Sequence, residues 1–265
     1  MKRNAVLLAA PITTAVLFFV APLLLLAQRS VTTTNGAITL DHYIRFFGDS
    51  YYLGGLGVTI GTALLVTLIT LACAYPVALS YWRASARVKS ILIILLLSPF
   101  YANIVVKVFG WMLILPAAWL NGYRGLLVVS VHRDLPFMVL LVAAAMSRID
   151  REWIESAQMC GASPSRVLRT IIWPLSIPGV VSGCTLVFSL TMAAYVVPAI
   201  VGGPWRGRFL PVLLYQQMTI AQDWSFGAVI GVVLLIASLS TIAIGNALLR
   251  RSKIGAIVGE AFNAQ

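Results

Sequence analysis

The sequence predicts an all-α integral membrane protein, a bundle of six transmembrane helices with a short cytoplasmic helical unit between the fourth and fifth. Three observations predict it. Of 265 residues, 60% are hydrophobic and only 10% are charged, and the mean hydropathy is +0.94. An ordinary soluble domain carries about 25% charge, and no soluble fold of this size hides so much apolar surface. Apolar stretches also recur at the length a bilayer demands, about 20 residues each. Finally, the basic residues fall unevenly between alternate loops. The composition excludes a soluble enzyme, a disordered chain and a secreted disulfide scaffold.

The spans are read as 5–27, 56–81, 91–115, 125–146, 175–201 and 226–249, within one transmembrane domain covering 1–265. Lys2 and Arg3 precede the first run, as they would in a secretory signal. The run outlasts a signal core of about 7–15 residues, so a span is the preferred reading. Gly57 and Gly61 form a GxxxG at the start of span two, which permits close helix contact. Pro76, Pro99, Pro136 and Pro198 are helix breakers within spans two to five, each removing a backbone donor.

The net charge of +11 would suggest nucleic acid in a soluble protein. In a membrane protein it reflects Lys and Arg held in cytoplasmic loops, and no nucleic-acid partner is expected. With the N-terminus inside, 12 of the 19 Lys and Arg lie in inside segments and five outside. The inside set is Lys2, Arg3, Arg83, Arg87, Lys89, Arg148, Arg151, Arg166, Arg169, Arg250, Arg251 and Lys253. Both termini are therefore expected in the cytoplasm. Tyr51, Tyr52, Tyr81, Trp82, Trp119, Tyr123 and Trp224 sit near span ends, as interfacial aromatics do. Cys73, Cys160 and Cys184 are scattered and read as packing residues, and His42 has no neighbour at ligand spacing. No metal, catalytic group or cofactor is expected in the chain.

Residues 147–174 form the longest inside loop and carry helix signals. Asp150 is placed as an N-cap, 151–160 as a short helix, and Gly161 as its C′ residue. Arg148/Glu152 and Arg151/Glu155 fall at i,i+4 spacing. Ser163 followed by Pro164 starts a second short helix, with Val167, Leu168, Ile171 and Ile172 as its apolar stripe. Pro174 and Pro178 are expected to close the unit. By composition it is either an amphipathic segment on the lipid surface or a docking element for a cytoplasmic partner.

Two adjacent charges, Arg133 and Asp134, follow His132 roughly 12–15 Å into span four. A central Arg or Asp costs about 2.5–3.5 kcal/mol on insertion scales, so such groups face a cavity or a partner. They read as a polar lining for a charged or zwitterionic solute, as a buried ion pair at a subunit interface, or as an outer-surface triplet. Adjacent helical residues point about 100° apart, so spacing does not require the two to pair. Lys107 in span three either snorkels to the headgroups or faces the path, and Tyr195 either lines the path or packs.

The order Glu155-Ser156-Ala157, three residues, Gly161, nine residues, Ile171, one residue, Trp173-Pro174 resembles a known signature. It is the E-A-A-x3-G-x9-I-x-L-P motif of permease subunits in binding-protein-dependent ABC importers of type I. Ser156 stands for Ala and Trp173 for Leu. Leu135-Pro136-Phe137-Met138-Val139-Leu140, Pro198-Ala199-Ile200-Val201-Gly202-Gly203 and Asp223-Trp224-Ser225-Phe226-Gly227-Ala228 resemble segments of polyamine-type permeases. Their order is most similar to the first permease of spermidine/putrescine importers, and the likeness covers about residues 40 to 250.

The resemblance implies a multi-pass permease of the bacterial inner membrane that works with a cytoplasmic ATPase dimer, a second and different permease subunit, and an extracytoplasmic solute-binding protein. In that picture Glu155, Ser156, Ala157, Gly161, Ala162, Ser163 and Pro164 couple to the ATPase. His132, Arg133, Asp134, Lys107 and Tyr195 are the substrate-path candidates. The relatives are mostly aromatic or aliphatic at 132–134, which keeps opine, phosphonate, iron-carrier and thiamine permeases open beside polyamine. A basic residue is expected at Lys107 by the same likeness. The chain has no GxxxxGK(S/T), so ATP chemistry belongs to a partner. An ion-coupled secondary transporter is the rival class, with a single intramembrane carboxylate as thin material for it. A channel is a third. Residues 202–225, with Trp205, Arg206 and Arg208, are candidates for contact with the binding protein.

Overall fold

The computed structural model describes residues 14, 16–33, 36–120 and 122–251. Among them every regular element is helical, and one isolated bridge joins Thr32 to Ile38. The helices are α1 (Val16–Ser30), α2 (Asp41–Gly48), α3 (Ser50–Arg83), α4 (Ala86–Tyr101), α5 (Ile104–Ile114) and α6 (Ala117–Leu120). They continue as α7 (Tyr123–Met146), α8 (Arg151–Met159), α9 (Pro164–Met192), α10 (Val196–Val201), α11 (Leu210–Tyr215) and α12 (Trp224–Arg251). Helices α3, α7 and α9, with the Trp224–Ala247 part of α12, are long and apolar enough to cross a membrane. The pair α4–α5 makes a fifth span if counted as one. The first expected span is described only as the shorter apolar α1; residues 5–13 and 15 lie outside the described residues, as do Lys2, Arg3 and Lys253.

Two spans differ from expectation. The third, expected as one span over 91–115 with a breaker at Pro99, is two helices meeting at 104°. Asn103 makes the break stable: its side chain accepts the Val105 N–H at 2.8 Å and so caps α5. The fifth begins not at 175 but at Pro164, so the second short helix of the unit expected in the cytoplasm is the first part of a 29-residue helix. Pro174 and Pro178 do not close the unit. Pro174 sits in the first turn after a wide π-type turn at Leu168–Ile172, where the Trp173 N–H reaches Leu168 O. That wider turn lets the helix continue past a residue without a donor. The same helix stops at Met192 and resumes as α10 only at Val196. At Pro76 and Pro136, by contrast, α3 and α7 run on unbroken.

The described residues fold as two compact units, lying within 1–58 with 207–236 and within 59–206 with 237–265. In the first, α2 lies in the segment where a small helix near Phe46 and Phe47 was expected, and Phe46 is its fully buried anchor. Tyr52 stacks on Phe46 at 5.9 Å and meets Phe226 edge-on at 4.8 Å. The Arg45 guanidinium lies 4.1 Å over Phe226 and pairs with Asp223 at 3.2 Å. Asp223 in turn accepts the Phe226 N–H at 3.0 Å at the start of α12. Leu210, Leu213, Val229 and Ile230 complete this core.

The second unit is organised around α7, whose buried residues line most of its length. Val66, Ala74 and Ala78 of α3, Met138, Val142 and Met146 of α7, and Val187 of α9 form one cluster. Helix α9 lies so close to α7 that a Cβ on Gly179 would meet Ala145 Cβ at 2.5 Å and Leu141 O at 2.6 Å. A Cβ on Gly183 would meet Met138 Sδ at 2.5 Å. Close approach of this kind replaces the hydrophobic driving force that lipid removes. The GxxxG glycines Gly57 and Gly61, by contrast, have nothing within 4 Å of an added Cβ. Gly179→Leu is therefore expected to destabilise the isolated chain by about 1–3 kcal/mol through overpacking. Gly57→Leu should stay within about 0.5 kcal/mol of wild type. Thermal melting of the purified chain in detergent checks both.

Candidate functional site

The intramembrane charges are brought together around one cavity. Arg133 curls back along α7 and grips its neighbour Asp134 with two parallel bonds, Nε to Oδ1 and Nη2 to Oδ2, both 2.7 Å. The Thr191 hydroxyl donates to Asp134 Oδ2 at 2.9 Å and accepts from Arg133 Nη2 at 3.3 Å. Asp134 is 0% exposed and Arg133 16%. The pair thus reaches from α7 to the last turn of α9. A bidentate fork is the arrangement that best offsets the desolvation of two buried ions.

Lys107 stands on the other wall. Its ammonium donates to Pro99 O at 2.9 Å, across the bend from α5 to α4. A helix end inside a bilayer must find partners for its last carbonyls, and a cation at a C-terminus also suits the helix dipole. Lys107 and Asn103 therefore hold the two ends of the broken span. Pro99, Phe100, Phe137 and Leu190 wall a cavity of about 310 Å³ into which Lys107, Arg133 and Asp134 also face. His132 is not among its lining residues; its ring meets Trp111 edge-on at 5.4 Å. Tyr195 lies in the break between α9 and α10, half-buried, and its carbonyl accepts the Ala199 N–H at 3.0 Å.

The expected coupling unit has a defined geometry. Asp150 occupies the N-cap position of α8, but its side chain makes no capping bond. The end of α8 is closed by two bonds, Ala162 N–H to Ala157 O at 3.0 Å and Gly161 N–H to Gln158 O at 2.9 Å. This is a Schellman closure, with Gly161 at φ +80°, a conformation that suits glycine. Ser163 caps the following helix by accepting the Arg166 N–H at 3.4 Å. Ile154, Ala157 and Ala162 pack against the cluster that contains Ile149, Val167 and Ile172. Ile154 and Ala157 of α8 thus face the protein, while Trp153 and Met159 stay exposed. Glu155, Ser156, Gln158, Met159 and Gly161 stay exposed. Glu155, Gln158 and Arg151 border a hollow of about 460 Å³ with Trp82 and Arg83 of α3. Among the described residues the ion pairs are Arg45–Asp223 and Arg133–Asp134, so neither i,i+4 pair anticipated in this unit forms.

The family described as binding-protein-dependent transport system inner membrane component matches residues 67–254. The chain belongs to that family. It is a permease subunit of an ABC importer, a multi-pass inner-membrane protein and not an enzyme. It is 29% identical over 245 residues to the spermidine/putrescine transport system permease protein PotB of Salmonella typhi, covering 83% of this chain and 85% of that one. With PotC of Escherichia coli it shares 29% over 205 residues, 77% of this chain and 75% of that one. A bacterial ABC transporter involved in import of the acidic polysaccharide alginate shares its fold, with a TM-score of 0.78 at 16% identity over 95% and 97% of the two chains.

In this permease, sequence reasoning located Lys107, Arg133 and Asp134 but not the residues that organise them. Thr191 lies on another helix, and no local pattern announces it. Asn103 was findable, because an Asn directly before an apolar run is an N-cap signal. Spacing left the pairing of Arg133 with Asp134 open, and the length and flexibility of the arginine side chain close it. Removing one partner leaves an uncompensated buried charge, worth about 3–5 kcal/mol, whereas replacing both is near neutral. Arg133→Met alone should therefore sharply lower yield and melting temperature of the purified permease. Adding Asp134→Leu should recover most of the loss.

Proposed function

We propose that this chain forms, with a second and different permease subunit, the passage through which an ATP-driven importer takes up a small polar solute. An ATPase dimer sits on the cytoplasmic side and a solute-binding protein delivers from the other, with both termini in the cytoplasm. Likeness to both PotB and PotC supports pairing with a related but different subunit, and spermidine/putrescine import by those relatives supports a solute of polyamine type. Among the proteins that share its fold is an alginate ABC transporter solved in complex with a pentasaccharide-bound periplasmic protein. Six spans remain the working count, with α8 and the start of α9 as the coupling element.

The observation that carries this reading is the stiff closure at Gly161. A segment that transmits ATPase closure must bind two states differently without deforming itself. Schellman closure, the Ser163 cap and packing of Ile154 and Ala157 on the core supply that stiffness, while Glu155 and Ser156 stay exposed to meet a partner. Glu155 offers a carboxylate with no ion-pair partner among the described residues, suited to a charge-assisted bond with a basic ATPase residue. A secondary transporter needs an intramembrane carboxylate available to its coupling ion, and both Asp134 oxygens are engaged by Arg133 and Thr191.

In proteoliposomes holding the assembled importer, uptake is expected to require ATP and the ATPase and to ignore collapse of the ion gradient. Gly161→Asp, or Ala157→Trp, should cut both ATPase co-purification and uptake by about tenfold or more, since each distorts the docking face. Uptake at the wild-type rate with normal ATPase recovery would sink the coupling assignment.

A further inference from the structure

We infer that the cavity beside the bend of α4 and α5 is an anion subsite, built to take the carboxylate of a short-chain solute. The inference rests on the permease reading and, within its small polar solutes, points to a carboxylate in place of the polyamine type.

The charge of the cavity carries the argument. Both Asp134 oxygens accept from Arg133, and Oδ2 accepts again from Thr191, so this ion pair is neutral and its carboxylate is satisfied. Among the described residues no other carboxylate lines the cavity. Lys107 therefore leaves one positive charge without a counter-ion there. Its ammonium has three donors, and one is spent on Pro99 O. Arg133 uses Nε and Nη2, which leaves Nη1 without an acceptor among the described residues. The two cations that keep unused donors thus line a space shared with Pro99, Phe100, Phe137 and Leu190.

Donors of this kind in low-dielectric surroundings call for a group with a negative charge and two acceptor oxygens. A carboxylate meets both needs. A bare diamine brings a second positive charge beside Lys107, where like charges repel far more strongly than in water. The apolar walls suit a short methylene chain. A volume of about 310 Å³ is of the size that holds a small molecule.

The matched probes are 4-aminobutanoate and putrescine, which differ in one end group. Each is titrated against the assembled importer in lipid nanodiscs, without binding protein or ATP, and read as a ligand-dependent melting shift. Wild type should bind 4-aminobutanoate about tenfold more tightly than putrescine. Lys107→Gln keeps an N–H for Pro99 O but removes the charge, and should weaken 4-aminobutanoate about tenfold. Lys107→Arg should restore it. Equal or tighter binding of putrescine, binding of neither probe, or an unchanged Lys107→Gln overturns the subsite. ATP-dependent uptake by the whole importer is scored separately: if some solute is taken up, such a result removes the subsite alone, and if none is, the permease reading falls as well.

Discussion

A bilayer offers no water to the backbone, so each amide and carbonyl within a span must find its partner in protein. Most of this chain's irregular features answer that demand. At the 104° bend, the Asn103 side chain serves the N-terminus of α5 and the Lys107 ammonium serves the C-terminal end of α4. At Leu168–Ile172 the bonding shifts to a wider turn just ahead of Pro174. Threonines and serines on the spans bond their own helices, as Thr67 does with Ala63 O at 2.7 Å. Polar side chains that look out of place by hydropathy are the means by which apolar rods are allowed to bend.

The same demand shapes the charged cluster. A lone carboxylate at the position of Asp134 is untenable, and the Arg133 fork and the Thr191 hydroxyl make it tenable by tying α7 to α9. Structural and functional readings of these residues are therefore not exclusive. The ion pair holds two helices at a fixed separation, and the surplus cation of Lys107 sets the sign of the space beside them. Gly179 and Gly183 reinforce the contact by letting the two helix backbones approach.

What could be read in advance follows the range of each signal. Gly161 was legible because a positive φ after a helix is a local property, and the chain meets it at +80°. The ends of α7 fall close to the reading because tight turns bound it on both sides. The third span misled because Asn103 interrupts composition too briefly to lower it. The fifth misled because Pro174 and Pro178 read as stops, while a proline near the start of a helix forfeits a bond that a wider preceding turn need not make. Thr191, and the hollow that brings α8 beside Trp82 and Arg83, depend on contacts between distant segments. Periodicity along a single helix holds no record of them.

The fusion of Pro164–Met192 into one helix has a mechanical corollary. At about 1.5 Å per residue it is a strut roughly 43 Å long. A tilt of a few degrees applied at its foot sweeps the far end through several ångströms. Thr191, near that far end, is bonded to Asp134. The lever therefore terminates on an electrostatic clasp beside the cavity, just before the non-helical joint at 193–195.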